Sequence, residues 1–83
     1  MAPFLGVMDV RRRVGINLKK FREERGFSQE AFADHCGLHR TYISGIERGV
    51  RNPTVLIVEK IAKALKISAA ELLQEIKVSS RGE

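Results

Sequence analysis

The sequence predicts an all-α domain of five short helices. Apolar residues recur at spacings of three and four along most of the 83-residue chain, which is the spacing of one face of an α-helix. Glycine or proline separates successive segments, and no run of alternating β-branched residues predicts a strand. A chain of this length has room for one core only. We therefore expect a single domain over residues 10–76, with flexible segments at 1–9 and 77–83.

The first helix is predicted over residues 10–25. Its apolar stripe is formed by Val14, Leu18 and Phe21. Gly26 ends it. The three arginines at positions 11–13 lie in its first turn, where the helix macrodipole disfavours cations. Two explanations for these arginines are open, contact with a phosphate and a solvated basic face.

Two short helices are predicted on either side of Gly37. Ser28 caps the first, which runs to about Cys36, and the second begins at Leu38. Gly37 can adopt the left-handed conformation that ends a helix without steric cost. Ala33 is small where the two helices must approach closely. The apolar wedge that fixes their angle is formed by Phe32, Cys36, Leu38, Ile43 and Ile46.

Two further helices follow a loop around Pro53. Thr54 and Ser68 have side-chain oxygens suited to cap them. Their apolar residues at helical spacing are Val58, Ile61, Ala62, Leu65, Leu72, Leu73 and Ile76. We therefore expect five helices around one small core.

Composition indicates a soluble protein with a polyanionic partner. The formal net charge is +5 and the sequence pI is about 9.9, which favours nucleic acid or an acidic membrane surface. The single cysteine, Cys36, excludes an internal disulfide, and no segment has the pattern of a signal peptide or the length of a membrane span. We expect a cytoplasmic protein that folds without disulfides, metal or membrane.

Residues 28–49, SQEAFADHCGLHRTYISGIERG, carry the pattern that points to function. With GFSQEAFA before the turn, YISGIERG after it and IAKALKISAAELL downstream, the chain resembles the helix-turn-helix of the phage-repressor and Cro (XRE) family. The resemblance spans residues 14–73. It implies a lambda-repressor-like DNA-binding domain of a transcriptional regulator, which binds a palindromic operator as a homodimer.

A narrower resemblance concerns the segment LHRTYISGIERGVRN. This segment is similar to the controller proteins of restriction–modification systems, which are small homodimeric regulators. The similarity implies control of restriction and modification genes. A plasmid, phage or chromosomal regulator is the alternative, because other members of the family share parts of the segment.

The family resemblance implies which residues contact DNA bases. In this fold the third helix lies in the major groove, with its first residues facing the base edges. Arg40, Thr41 and Ser44 occupy these positions. Arginine can donate two hydrogen bonds to N7 and O6 of guanine, and threonine can offer a hydroxyl or contact a thymine methyl group. The alternative for Arg40 is an exposed phosphate contact.

The resemblance also implies contacts to the DNA backbone. Gln29 stands where the family has a glutamine that holds a phosphate together with a helix N-terminus. His39 stands where the family has a serine, threonine or aspartate cap, so a phosphate contact and a partial cap are both open. Half-buried packing is the alternative for Tyr42. The remaining residues expected at the backbone are Tyr42, Arg48, Arg51 and Asn52.

Two sets of residues are expected to have structural roles. Arg22 and Glu47 match a pair that in relatives forms a salt bridge between the first helix and the recognition helix. Apolar residues of the last two helices exceed what a small core needs, which places a dimer interface there. The residues expected in that interface are Ile57, Leu73, Ile76 and Val78. Core packing is the alternative for Leu73.

Other classes of function are disfavoured by the sequence. His35, Cys36 and His39 are common zinc-ligand types, but Gly37 interrupts the helix and no fourth ligand is evident, so we expect no metal. No catalytic carboxylate pair, phosphate-binding glycine loop or activated nucleophile is recognisable, so we expect no enzyme and no cofactor. The competing class is a protein-interaction module such as an antitoxin, for which we expect a longer tail than the residues after Glu75.

Overall fold

The structure is a computed structural model that describes residues 8–76, and over this range the chain forms five α-helices. They are α1 (Val10–Glu24), α2 (Gln29–Cys36), α3 (Arg40–Glu47), α4 (Val55–Leu65) and α5 (Ala69–Leu73). No β-strand occurs within residues 8–76, and the predicted all-α class is confirmed. Residues 1–7 and 77–83 lie outside the described residues, and with them Val78.

Side-chain caps begin most of the helices. The caps of α1, α2, α4 and α5 are Asp9, Ser28, Thr54 and Ser68. Ser68 also forms a capping box, because its backbone N–H donates to the Glu71 carboxylate at 3.1 Å. The exception is α3, where His39 takes the N-cap position and its side chain makes no capping hydrogen bond. The partial cap that was open to His39 is therefore not formed.

The turn between α2 and α3 has the predicted geometry at Gly37, whose φ is 73°. The start of α3 was placed too early by the sequence, because the helix begins at Arg40 and not at Leu38. The backbone N–H of Leu38 donates to the carbonyl of Ala33 at 2.9 Å. Leu38 therefore completes the end of α2, and the extended His39 precedes α3.

The fifth helix is shorter than the sequence predicted. It ends at Leu73, so Ile76 lies in non-helical backbone beyond it, and Gln74 is extended with φ −63° and ψ 140°. The cause lies on α1, where the buried Asn17 side chain donates from Nδ2 to the carbonyls of Leu72 and Gln74, each at 2.8 Å. Asn17 binds carbonyl groups that a further helical turn would otherwise use.

The core lies where the helices meet. Its largest fully buried side chains are Phe32, Leu18, Ile43, Ile46, Ile61, Leu65 and Leu72. Helix α3 packs against α1 and α2, while α5 packs against α1 and α4. This arrangement holds α3 from behind and leaves its outer face exposed.

The crossing of α1 over α3 depends on Gly15. A Cβ atom at Gly15 would overlap the carbonyl oxygen of Ile46 and lie 2.7 Å from that of Glu47. Both of these atoms are backbone, so a side-chain movement cannot relieve the contact. The absence of a side chain at Gly15 therefore sets the distance between the two helices.

Gly15→Ala should destabilise the domain by about 1–3 kcal/mol, because it overpacks this crossing. The sign of this change in the free energy of unfolding is informative, since alanine in the middle of a helix normally makes a protein about 0.5–1 kcal/mol more stable than glycine does. Urea unfolding of the variant, the wild type and the exposed α1 control Lys19→Ala measures the effect. A Gly15→Ala protein as stable as the wild type would show that the crossing can widen without cost.

Candidate nucleic-acid interface

A buried ion pair joins α1 to the end of α3. Arg22 donates from Nε to Glu47 Oε2 at 2.6 Å and from Nη2 to Oε1 at 3.0 Å, and the two side chains are only 7% and 4% exposed. Arg22 also donates from Nη1 to the carbonyl of Phe27 at 2.6 Å. The hydrogen bond to Glu47 raises the pKa of the Arg22 guanidinium, so this group is charged in the folded protein. The pair thus fixes α3 to α1 and to the segment before α2.

Gln29 shares the same carboxylate. Its Nε2 donates to Glu47 Oε1 at 3.0 Å, and the residue is half-buried. The sequence did not predict this contact, because it depends on the approach of α2 and α3. One amide hydrogen of Gln29 is thereby engaged, and this bond leaves the second amide hydrogen unused.

The outer face of α3 presents the residues expected to contact bases. Arg40 and Thr41 lie at the start of the helix and are exposed. Ser44, one turn further on, is half-buried, and its Oγ accepts a hydrogen bond from Arg48 Nε at 3.4 Å. The structure thus brings two exposed polar side chains to the N-terminus of α3 and connects Ser44 to a neighbouring cation.

Arg51 folds back over α3 in a way that the sequence did not reveal. Its guanidinium carbon lies 5.8 Å from the centre of the Tyr42 ring, which is a cation–π distance. Its Cγ crosses Gly45, where an added Cβ would lie only 2.5 Å away. Tyr42 itself is half-buried and packs against the core. Gly45 therefore makes room for a cation along the outer face of α3.

We call this face, together with the start of the following loop, the α3 surface. Its members share exposure or partial exposure and polar side chains: His39, Arg40, Thr41, Tyr42, Ser44, Arg48, Arg51 and Asn52. The acidic residue of the helix, Glu47, is turned inward and paired with Arg22. The charged side chains that reach solvent on this surface are therefore cationic, which suits a polyanion.

A second surface contains exposed apolar residues at the start of α4. Val55 and Leu56 are 84% and 81% exposed, whereas Ile57 is partly buried and packs against the core. Sequence reasoning named Ile57 and did not name Val55 or Leu56. The available indication was that the four consecutive apolar residues at positions 55–58 cannot all lie on one helix face.

An apolar groove lies beside these residues. It has a volume of about 190 Å³, and its walls include Val10, Val14, Val55 and Leu73. Leu73 is 41% exposed. Ile76 lines a different cleft, next to Asn17 and Phe21. The structure therefore places Leu73 with the exposed end of α4 and separates it from Ile76.

The residues considered as zinc ligands have other surroundings. The His35 ring stacks on Phe27 with centroids 5.1 Å apart. Cys36 is buried, and burial raises the pKa of its thiol to about 11, which disfavours the thiolate that zinc binds. Within residues 8–76 no group of three or more histidine, cysteine or acidic side chains is placed to hold a metal ion. None of the helices in that range is long and apolar enough to cross a membrane.

Glu47→Ala should destabilise the protein by about 3–5 kcal/mol, because it leaves the Arg22 guanidinium buried without its partner. Combining Glu47→Leu with Arg22→Met should cost much less, because both buried charges are removed. Urea unfolding gives the comparison. Glu59→Ala is the control, since its ion pair with Lys63 is exposed at 3.9 Å and should contribute less than about 1 kcal/mol. Equal losses for Glu47→Ala and Glu59→Ala would mean that the buried pair does not hold α3.

Comparison with known proteins identifies the family of the chain. The model of the helix-turn-helix family HTH_3 matches residues 18–72. The control protein C.MunI from Mycoplasma sp is 45% identical over 69 residues, which cover 82% of this chain and 93% of that protein. The uncharacterized HTH-type transcriptional regulator y4dJ from Sinorhizobium fredii is 42% identical over 66 residues, or 80% of this chain and 86% of that protein.

The solved structures agree with the sequence matches. The restriction-modification controller protein C.AhdI from Aeromonas hydrophila superposes with a TM-score of 0.72 at 40% identity, covering 75% of this chain and 94% of that one. The resemblance predicted from residues 28–49 is thereby confirmed. The chain belongs to the helix-turn-helix family of DNA-binding transcriptional regulators.

Proposed function

We propose that this protein regulates transcription in the cytoplasm by binding a palindromic operator as a homodimer, with α3 in the major groove and without catalysing a reaction. The observation that carries the proposal is the exposed start of α3, where Arg40 and Thr41 stand on a helix fixed from behind by the buried Arg22–Glu47 pair. A helix held in this way presents its side chains to DNA in one orientation.

Base contacts are assigned to Arg40, Thr41 and Ser44. Arg40 can donate two parallel hydrogen bonds to a guanine, and Thr41 can contact a neighbouring base. Ser44 is half-buried and bonded to Arg48. Its hydroxyl can keep that bond and still donate to a base, since a hydroxyl both donates and accepts.

Backbone contacts are assigned to the rest of the α3 surface and to Gln29. The residues are Gln29, His39, Tyr42, Arg48, Arg51 and Asn52. Arg48 and Arg51 flank the helix end and supply charge, while Gln29 has its second amide hydrogen for a phosphate. Such contacts position the protein on the duplex and make its affinity salt-dependent.

Random-site selection with the purified protein should return a palindrome with half-sites about one helical turn of DNA apart. On that duplex, Arg40→Ala should lose about 1–3 kcal/mol of discrimination at one guanine of each half-site. Arg51→Ala is the matched control, because Arg51 packs over Tyr42, which is also assigned to the backbone, and losing a phosphate contact weakens all sequences uniformly. If no sequence is enriched and Arg40→Ala binds as the wild type does, specific DNA binding is rejected and a protein partner is indicated.

The dimer is proposed to form through the start of α4 and the adjoining groove. Val55 and Leu56 are the most exposed large apolar side chains between residues 8 and 76, and Leu73 lies in the groove wall beside Val55. A two-fold interface would bury the same patch on both subunits. Of the residues expected from the sequence, Leu73 therefore remains in the proposed interface. On α4, Val55 and Leu56 take the place of Ile57.

Leu56→Asp should convert the protein to a monomer at concentrations where the wild type is a dimer, because the interface would have to bury two carboxylates. The change should not unfold the domain, since a negative charge in the first turn of α4 is favourable. Sedimentation equilibrium measures the association. Ala31→Asp places the same charge in the first turn of α2 and should leave the dimer intact. A Leu56→Asp protein that associates like the wild type would exclude this interface.

The regulated genes are proposed to be those of a restriction–modification system. The segment LHRTYISGIERGVRN and the similarity to the controller proteins named above support this proposal. An operator that overlaps the promoter of restriction or modification genes would agree with it. An operator upstream of unrelated genes would contradict this proposal and would indicate a general transcriptional regulator.

A further inference from the structure

The three arginines at the start of α1 have different surroundings in the structure. Arg11 donates from Nε and Nη2 to the carboxylate of Asp9, at 3.0 and 3.1 Å. Arg13 donates from Nε to the carbonyl of Leu73 at 2.8 Å. Arg12 is exposed, and within residues 8–76 no hydrogen bond or ion pair engages its guanidinium. Contacts inside the fold thus account for Arg11 and Arg13, but they give no reason for a third cation.

The electrostatics of α1 also distinguish Arg12 from Arg11. The first turn of α1 contains no acidic residue, and the positive end of the helix macrodipole disfavours a cation there. The carboxylate of Asp9 offsets this for Arg11. Arg12 has no such carboxylate partner within residues 8–76, so an anion outside the domain is the better explanation for its side chain.

Arg12 is also adjacent to the α3 surface. A Cβ built on Gly49 would lie 3.2 Å from Arg12 Cα and 3.4 Å from its Cβ, so the loop after α3 packs directly on the first turn of α1. Gly49 follows Arg48, which lies on the α3 surface. One turn further along α1, Gly15 packs on the end of α3. The first turn of α1 therefore continues the edge of the α3 surface beyond Arg48.

We propose that Arg12 contacts a DNA phosphate and extends the interface from α3 onto α1. The inference rests on the proposed function, because it takes α3 to lie in the major groove. A phosphate next to the end of α3 would supply the negative charge that Arg12 lacks within the fold. The contact adds affinity and does not select sequence.

The test is the salt dependence of binding, measured by fluorescence anisotropy on two duplexes of equal length. One carries the selected operator and the other a random sequence. Arg12→Ala should reduce the slope of log affinity against log salt by about one per protomer on both duplexes, with the ratio of their affinities unchanged. Arg12→Lys should restore most of the slope, because it keeps the charge.

Lys63→Ala is the matched control. It removes one positive charge from α4, which packs on α2 and α5, and its side chain is 75% exposed. Its salt slope should equal that of the wild type, and urea unfolding should show that Arg12→Ala is fully folded. A slope for Arg12→Ala equal to that of Lys63→Ala would overturn the inference. If the wild type does not distinguish the two duplexes, the proposed operator binding fails, yet the slope on the random duplex still decides the role of Arg12.

Discussion

The presentation of α3 depends on one carboxylate. Glu47 accepts hydrogen bonds from Arg22 and Gln29, and Arg22 in turn holds the carbonyl of Phe27. Three helices and the turn between the first two thus converge on a single buried group. Removing two charges from water is costly, so such a pair adds little net stability compared with an apolar pair. Its consequence is geometric, because the donors fit only one orientation of α3 relative to α1 and α2.

A helix as short as α3 needs this kind of support. Eight residues are too few for an isolated helix to be stable in water, and α3 also lacks a side-chain cap at His39. Its inward face therefore has to supply the stability, through the buried Ile43 and Ile46 and through Glu47. The outward face is then free to carry exposed polar side chains, such as Arg40 at the first position. The structure separates the two requirements on opposite sides of one helix.

Absent side chains matter as much as those present. Gly15 allows α1 to approach the backbone of α3, and Gly45 gives the Arg51 side chain room to cross the outer face of the same helix. Both glycines lie within helices, where glycine is locally unfavourable. The packing that they permit offsets this cost. This packing places the charged loop after α3 and the start of α1 side by side at the edge of the α3 surface.

The sequence by itself determined the helices, the turn and the family. Caps such as Ser28, Thr54 and Ser68 and the left-handed Gly37 act on residues within a few positions, so their effect can be derived from the neighbouring sequence. The pairing of Arg22 with Glu47 was accessible only through the resemblance to a family, since nothing local links residues 25 positions apart.

Tertiary structure decided the rest. Asn17 ends α5 across 55 positions of sequence, and Gln29 is bonded to Glu47 by the approach of two helices. The exposure of each apolar side chain is likewise decided by tertiary structure. Apolar spacing marks a helix face, but the neighbouring elements determine that Ile57 packs inward while Leu56 stays in solvent. Periodicity is a property of one segment, whereas burial and hydrogen-bond partners are properties of pairs of segments, and only the folded chain brings those pairs together.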